Sequence, residues 1–178
     1  LVADSDNHVI WKLLPSFAPE VASLSPSVVI PGGTVTITGL NFTGATGVSF
    51  NGVAAASFTV VSATTITATA PTVLTAGSVT VTGPGGTSTT TAAFTVSPVF
   101  VTQPIAVASA AVGGSLTLTV NATAPAGVTY QWRKFGQPIA SATTASLALT
   151  NLALFDAGLY DVVVTSGGIS VPSTASRV

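Results

Sequence analysis

The sequence has no cysteine, no methionine and very little charge. Without cysteine there are no disulfides or thiolate metal sites, so a packed core must hold the fold together. Only 5% of the 178 residues are charged, and from Val21 to Trp132 there is no Asp, Glu, Lys, Arg, His or Cys. Those side chains carry most acid–base, metal and covalent chemistry at neutral pH. We therefore expect a protein that is not an enzyme, with no catalytic residues, no metal and no cofactor.

The scarcity of charge also limits the partners. The formal net charge is −1 and there are only four Lys and Arg residues, too few for a basic patch that neutralises phosphates. Apolar runs are short, such as residues 28–30 and 152–155, whereas a membrane-spanning helix needs about 20 apolar residues. We expect neither nucleic-acid binding nor membrane insertion. Because position 1 is not Met and no signal-peptide pattern follows, we also expect a processed or excised piece.

Apolar and polar residues alternate in short runs throughout most of the chain. Examples are TVTIT at residues 34–38, SVTVT at 78–82 and LTLTV at 116–120. Alternation of this kind predicts half-buried strands, and Gly, Pro and Asn-Gly turn signals separate them. The predicted class is all-β, with two immunoglobulin-like β-sandwiches in tandem and an extra N-terminal strand. We divide the chain into residues 1–17, 18–97 and 98–178, and the short joint at Ser97 and Pro98 predicts a semi-rigid rod.

A linear pattern runs through the first of these sandwiches. It consists of PEVASLSP at residues 19–26, PGGTVTITGLNF at 31–42, VSFNG at 48–52, AP at 70–71, GSVTV at 77–81 and FTV at 94–96. Residues 19–96 thereby resemble the IPT/TIG family of immunoglobulin-like domains. The alternation predicts a core of Val35, Ile37, Phe42, Val48, Phe50, Phe58, Ile66, Val79, Val81 and Phe94. Because domains with this fold serve many functions, the resemblance alone does not predict what this protein does.

A different motif marks the second sandwich. Trp132 is followed by DAGLY at residues 156–160, a D-x-G-x-Y arrangement that resembles strand F of immunoglobulin-superfamily domains. The resemblance implies that Tyr160 is the tyrosine-corner residue, with Asp156 in the corner turn, and that Trp132 is the core tryptophan. The two cysteines of that family would fall at Val120 and Val162, so apolar packing replaces the disulfide. The predicted core is Leu118, Val120, Trp132, Leu149, Leu152, Tyr160, Val162 and Val164.

The first residues carry a third pattern. Residues 1–14, which begin LVADSDNHVIWKL, resemble the core of an NHL repeat, a β-propeller blade, although Asp6 and Val9 depart from the signature. A single repeat cannot close a propeller, so either the chain was cut from a larger protein or this strand has another role. Val9, Ile10, Trp11, Leu13 and Leu14 would form an exposed apolar strand, and we predict that it is an assembly strand.

An acceptor for such a strand is predicted at the C-terminal side. Pro172 lacks the N–H of a ladder bond, which predicts an edge strand. The predicted acceptor edge comprises Ile169, Val171 and Val178, where another chain could add a strand.

Three arrangements could suggest chemistry, and each has a simpler structural interpretation. His8 with Asp4, Asp6 and Asn7 could be drawn as a metal cluster, but the glycine and bidentate Glu of a calcium loop are missing, so a turn is favoured. Asp156 and Asp161 could be paired carboxylates, but a corner turn and an outward strand position explain them. A serine triad lacks a base within either sandwich, since His8 is the sole histidine.

These observations predict a non-catalytic extracellular or cell-surface module with a structural or adhesive role. It would either be strung along a large surface protein, with neighbouring domains as partners, or assemble with other copies of itself, head to tail, into a surface fibre joined by β-strand addition. The alternative is an accessory module of a secreted multidomain protein that binds carbohydrate or protein, with Trp11 or loop aromatics stacked on a glycan.

Overall fold

The computed structural model describes residues 2–4, 9–11 and 16–178. At the N-terminus, β1 (Val2–Asp4) and β2 (Val9–Trp11) pair antiparallel, with Val2 opposite Trp11. The sequence predicted one strand here, whereas the structure contains two. Asp6, Asn7, His8, Leu13 and Leu14 lie outside the described residues.

The first sandwich consists of two sheets. One has the strand order β3-β5-β9-β8, and the other has the order β4-β12-β10-β6-β7 with β11 also paired to β10. The strands are β3 (Glu20–Ser25), β4 (Val28–Val29), β5 (Thr34–Leu40), β6 (Gly47–Phe50), β7 (Val53–Ala54), β8 (Ser57–Ser62), β9 (Thr65–Thr69), β10 (Gly77–Gly83), β11 (Gly86–Thr87) and β12 (Ala92–Val96).

Strand alternation explains how the two sheets enclose a core. In β5, Val35 and Ile37 are buried while Thr34 and Thr38 face solvent. The buried residues of this core are Val21, Val29, Val35, Ile37, Phe42, Val48, Phe50, Ile66, Ala68, Ala70, Leu74, Val79, Val81, Phe94 and Val96. Phe58, predicted as core, is only half-buried because β8 is the last strand of its sheet and has a neighbour on one side alone.

The hairpin between β6 and β7 has the turn that its sequence predicts. Asn51 and Gly52 have φ values of 48° and 83°, and Phe50 lies opposite Val53 across the turn. A two-residue turn with both φ angles positive matches the twist of the strands that it joins. Asn–Gly is the pair that adopts this geometry with least strain.

The second sandwich is divided among shorter ladders. Its larger sheet has the order β17-β16-β19-β20, with β21 also paired to β19, and two further ladders pair β13 with β15 and β14 with β18. The elements are β13 (Val99–Thr102), β14 (Leu116–Thr119), β15 (Asn121–Thr123), β16 (Thr129–Lys134), β17 (Gln137–Pro138), β18 (Ser146–Leu149), a 3-10 turn (Leu154–Asp156), β19 (Leu159–Ser166), β20 (Ile169–Pro172) and β21 (Ser176–Arg177).

The core of this sandwich is built around a tryptophan. Trp132 is fully buried, and Leu118, Val120, Leu147, Tyr160 and Val162 pack in the same cluster. Leu149 is half-buried, unlike its predicted position in the core. Only Ser97 and Pro98 separate β12 from β13, so the link between the sandwiches is short, and the rod-like arrangement stays a prediction. No helix among the described residues is long and apolar enough to cross a membrane.

Candidate interaction surfaces

The residues at the start of β19 form a hydrogen-bonded corner. The Tyr160 hydroxyl donates to the backbone oxygen of Asp156 at 2.7 Å, which is the bond that defines a tyrosine corner. The Asp156 carboxylate accepts a hydrogen bond from the Ala153 N–H at 2.9 Å. This bond closes the 3-10 turn, of which Asp156 is the last residue. Trp132 donates its indole N–H to the Thr144 backbone oxygen at 2.9 Å. Each of these polar groups therefore has a structural partner.

Asp161 is held by a cation on the neighbouring strand. It lies opposite Arg133 in the β16–β19 ladder, and the Arg133 Nε donates to Asp161 Oδ1 at 3.1 Å while a guanidinium N–H bonds Oδ2. The hydrogen bond to Asp161 raises the pKa of Arg133, partly offset by burial. With Asp156 in the corner turn and Asp161 in an ion pair, both members of the candidate carboxylate pair already have structural partners.

Metal-ligating residues do not converge in the part of the chain that the structure describes. Among those residues, no group of three or more His, Cys, Asp or Glu side chains is close enough to hold an ion. Of the candidate metal cluster, His8, Asp6 and Asn7 lie outside the described residues.

The predicted acceptor edge is short. β20 is the last strand of its sheet, and Ser166 and Ile169 flank the two-residue turn that joins it to β19. Because the residues flanking such a turn exchange hydrogen bonds, Ile169 and Val171 direct their backbone groups towards β19. Ser170 and Pro172 direct theirs outward. Since proline has no N–H, Ser170 carries the one outward backbone donor of β20.

The predicted edge does not extend to Val178. Its N–H bonds the Gly158 oxygen at 2.9 Å, and the Gly158 N–H bonds the Val178 oxygen at 2.9 Å. Arg177 is covered on its outer side, since it donates to Ala106 at 2.9 Å and accepts from Ala108 at 2.8 Å. Placing Val178 on an open edge was therefore wrong, because the chain from β21 to Val178 is bonded to residues 158–160 on one side and to residues 106–108 on the other.

Large apolar side chains gather at the C-terminal end of the second sandwich. Leu154 is 84% exposed, Phe155 80%, Phe135 64% and Leu159 48%. The backbone N–H of Phe135 bonds the Leu159 oxygen at 2.8 Å, and the Lys134 ammonium bonds the Phe155 oxygen at 2.6 Å. These contacts bring the β16–β17 turn and the 3-10 turn together. We call Lys134, Phe135, Leu154, Phe155 and Leu159 the tail surface.

Sequence reasoning missed the tail surface. Residues 152–155 appeared only as a short apolar run, and alternation does not say which members of an irregular turn face outward. One signal was present: Leu154 and Phe155 immediately precede the corner Asp156, where a turn at the surface favours polar residues.

One of the two sandwiches matches a known domain family. Residues 19–96 match the IPT/TIG domain family. This confirms the sequence-based resemblance for that segment, which is less than half of the chain. A decoration protein of Escherichia phage T5 is 44% identical over 68 residues, covering 37% of this chain and 42% of that protein. The match thus spans less than half the length of that relative.

Two solved structures align with most of the chain. The insect immune protein hemolin superposes with a TM-score of 0.52 at 15% identity, covering 92% of this chain and 46% of hemolin. Extracellular domains 3–5 of Drosophila OTK cover 90% of this chain and 58% of that one, with a TM-score of 0.49 at 16% identity. At such low identity the hemolin likeness establishes the tandem sandwich fold and nothing further. No comparison tests the NHL resemblance, which stays a prediction.

Proposed function

We propose that the protein is a non-catalytic structural or adhesive module that acts outside the cell and binds copies of itself or neighbouring domains of a larger surface protein. The observation that carries this proposal is the tail surface. Two aromatic and two aliphatic side chains are exposed there, whereas Asp156, Asp161 and Tyr160 beside it have structural partners. A cluster of exposed apolar side chains is typical of a contact surface.

Two further observations support an assembling role. With a net charge of −1, electrostatic self-repulsion between molecules is weak. The relative in phage T5 is described as a decoration protein, a name compatible with a structural role on a surface.

β-Strand addition by residues 9–14 is one proposed route of assembly. Val9, Ile10 and Trp11 already have a partner strand in β1, so this route would use the other edge of β2 or open the hairpin. On the acceptor side, Ser170 is the one residue of β20 with an outward N–H, so few ladder bonds are available there.

A deletion tests this route. The full chain and a chain of residues 17–178 would be compared by light scattering over a range of concentrations and by electron microscopy. If β-strand addition operates, the full chain forms larger species and the deleted chain stays monomeric. Equal assembly of both chains would contradict strand addition and leave the structural role intact. If neither chain associates at any concentration, the self-assembling version of the proposal is wrong.

A second candidate function is glycan binding, which the exposed phenyl rings of Phe135 and Phe155 favour. Aromatic faces at a protein surface can stack on the apolar face of a sugar ring. Affinity electrophoresis in gels containing soluble polysaccharides would test it. Glycan binding predicts slower migration that is lost in Phe155→Ala, with Val73→Ala as the matched control because Val73 is also 80% exposed. Unchanged migration of the wild type in every polysaccharide would contradict this candidate.

A further inference from the structure

Strand direction shows which end of each sandwich is remote from the link between them. In the first sandwich, Glu20 at the start of β3 pairs with Leu40 at the end of β5. Thr90, just before β12, accepts the Val21 N–H at 2.9 Å, so β12 starts at this end and runs to Val96, where the link to the second sandwich begins. In the second sandwich, Pro125 and Ala126, just before β16, line a shallow pocket together with Thr95 and Val96, so β16 begins near the link and ends at Lys134 on the far side. The Glu20 end and the tail surface are therefore the ends remote from the link.

The Glu20 end carries its own exposed apolar groups. Phe17 is 65% exposed and Leu40 52%. The Phe17 backbone lies so close to Gly85 that a side chain at position 85 would overlap it, which fixes the chain at this point. We call Phe17, Glu20 and Leu40 the head surface.

A groove opens on the head surface beside Glu20. It has a volume of about 290 Å³ and is lined by Glu20, Val21, Ala22, Thr38, Gly39, Leu40 and Thr90. A cavity of about 150 Å³ in another protein is large enough to hold benzene. The groove is therefore large enough to admit a phenyl ring, and its one ionisable side chain is a carboxylate.

The tail surface carries an exposed phenyl side chain and the opposite charge. Phe155 projects from the 3-10 turn, and the Lys134 ammonium lies at its backbone oxygen, 2.6 Å away. Among residues 16–178, Lys134 has no carboxylate within salt-bridge distance, since Asp161 pairs with Arg133. One end thus presents the exposed Phe155 side chain, whose backbone oxygen accepts a bond from a cation, and the other presents an apolar groove beside an anion.

We propose that Phe155 of one molecule inserts into the head groove of the next, with Lys134 facing Glu20. This inference rests on the proposed function, in which copies of the chain are partners, and it names the contact. Since the head and tail surfaces differ, each added molecule leaves one of each unused, so the contact propagates into a filament. A small contact of this kind is weak, so assembly depends on concentration.

Charge reversal in the full chain tests the contact. Sedimentation velocity over a concentration series would compare the wild type, Glu20→Lys, Lys134→Glu and the double variant. We expect each single variant to weaken association at least about tenfold, because like charges would face each other. The double variant restores association, because its charges are opposite again. A double variant that stays as weak as the single variants would overturn the contact.

Phe155→Ser provides a test that does not depend on charge. Because Phe155 is 80% exposed, its loss leaves the core intact, and thermal unfolding would check this. We expect Phe155→Ser to abolish association, while Val73→Ser, equally exposed in the loop between β9 and β10, has no effect. If the wild type associates and Phe155→Ser does so equally, the inference is wrong and the structural role stands. If the wild type is monomeric throughout, the inference and the self-assembling version of the proposed function both fail.

Discussion

The hydroxyl of Tyr160 offers a measurable test of how the second sandwich is stabilised. Tyr160→Phe removes one hydrogen bond, of 2.7 Å, to the Asp156 backbone oxygen and leaves the ring in place. The net contribution of such a bond is about 1 kcal/mol, and a buried carbonyl left without a donor costs more. Asp156 is half-buried, so water can replace part of the lost bond. We expect a loss of about 1–1.5 kcal/mol in the free energy of unfolding.

Urea unfolding followed by tryptophan fluorescence measures this loss. A Trp11→Phe background leaves Trp132, in the core of the second sandwich, as the one fluorescent tryptophan. The urea midpoint should fall with no change in slope, because the surface exposed on unfolding is unchanged. For a domain of this size the melting temperature should fall by roughly 4–8 °C per kcal/mol.

Tyr130→Phe is the matched control, since Tyr130 is half-buried in the neighbouring strand and its hydroxyl has no partner among the described residues. We expect this control to lie within about 0.5 kcal/mol of the wild type. If Tyr160→Phe lowered the free energy of unfolding no more than Tyr130→Phe does, the corner hydrogen bond would contribute nothing to stability. The interpretation of residues 156–160 as a stabilising corner would then be wrong.

Three further substitutions test other parts of the account. Gly39→Ala should destabilise the first sandwich by about 2–3 kcal/mol, because the new methyl group would overlap the Glu20 carbonyl oxygen; calorimetry should show the second sandwich unchanged. Gly52→Ala meets no atom within 4 Å, so its cost in denaturant unfolding should be only about 1–2 kcal/mol of backbone strain at φ 83°. Arg133→Ala should lower the free energy of unfolding by less than about 1 kcal/mol, because its ion pair with Asp161 is partly exposed. Salt screens such a pair, so the loss should be smaller in high salt, and a loss independent of salt would contradict this explanation.

Alternation in the sequence predicts the first sandwich well because its strands are long and one-sided. Val35, Ile37, Val79 and Val81 are all fully or almost fully buried, as their spacing predicts. Phe58 shows the limit of this reasoning, since the pattern gives the inward face of a strand and not the number of its neighbours.

The second sandwich is predictable where a motif fixes side-chain roles. The D-x-G-x-Y pattern predicts the corner position of Tyr160, and the structure contains its hydrogen bond to Asp156. Burial of Trp132 follows from the same resemblance.

Features that depend on non-local pairing could not be predicted. The pairing of Val178 with Gly158 joins the end of the chain to a turn, and no local pattern encodes it. The tail surface likewise forms where two loops meet, since Lys134 reaches Phe155 across 21 positions. A sequence pattern identifies strands and their faces, but exposure in loops is decided by tertiary contacts.

Mixing the two single charge variants tests the central claim most directly. Glu20→Lys and Lys134→Glu should each stay largely monomeric in sedimentation velocity at a concentration where the wild type associates. In an equimolar mixture, every contact between unlike molecules again has opposite charges, so we expect large alternating species to return. A mixture that sediments as the sum of its two components would contradict a contact between head and tail surfaces.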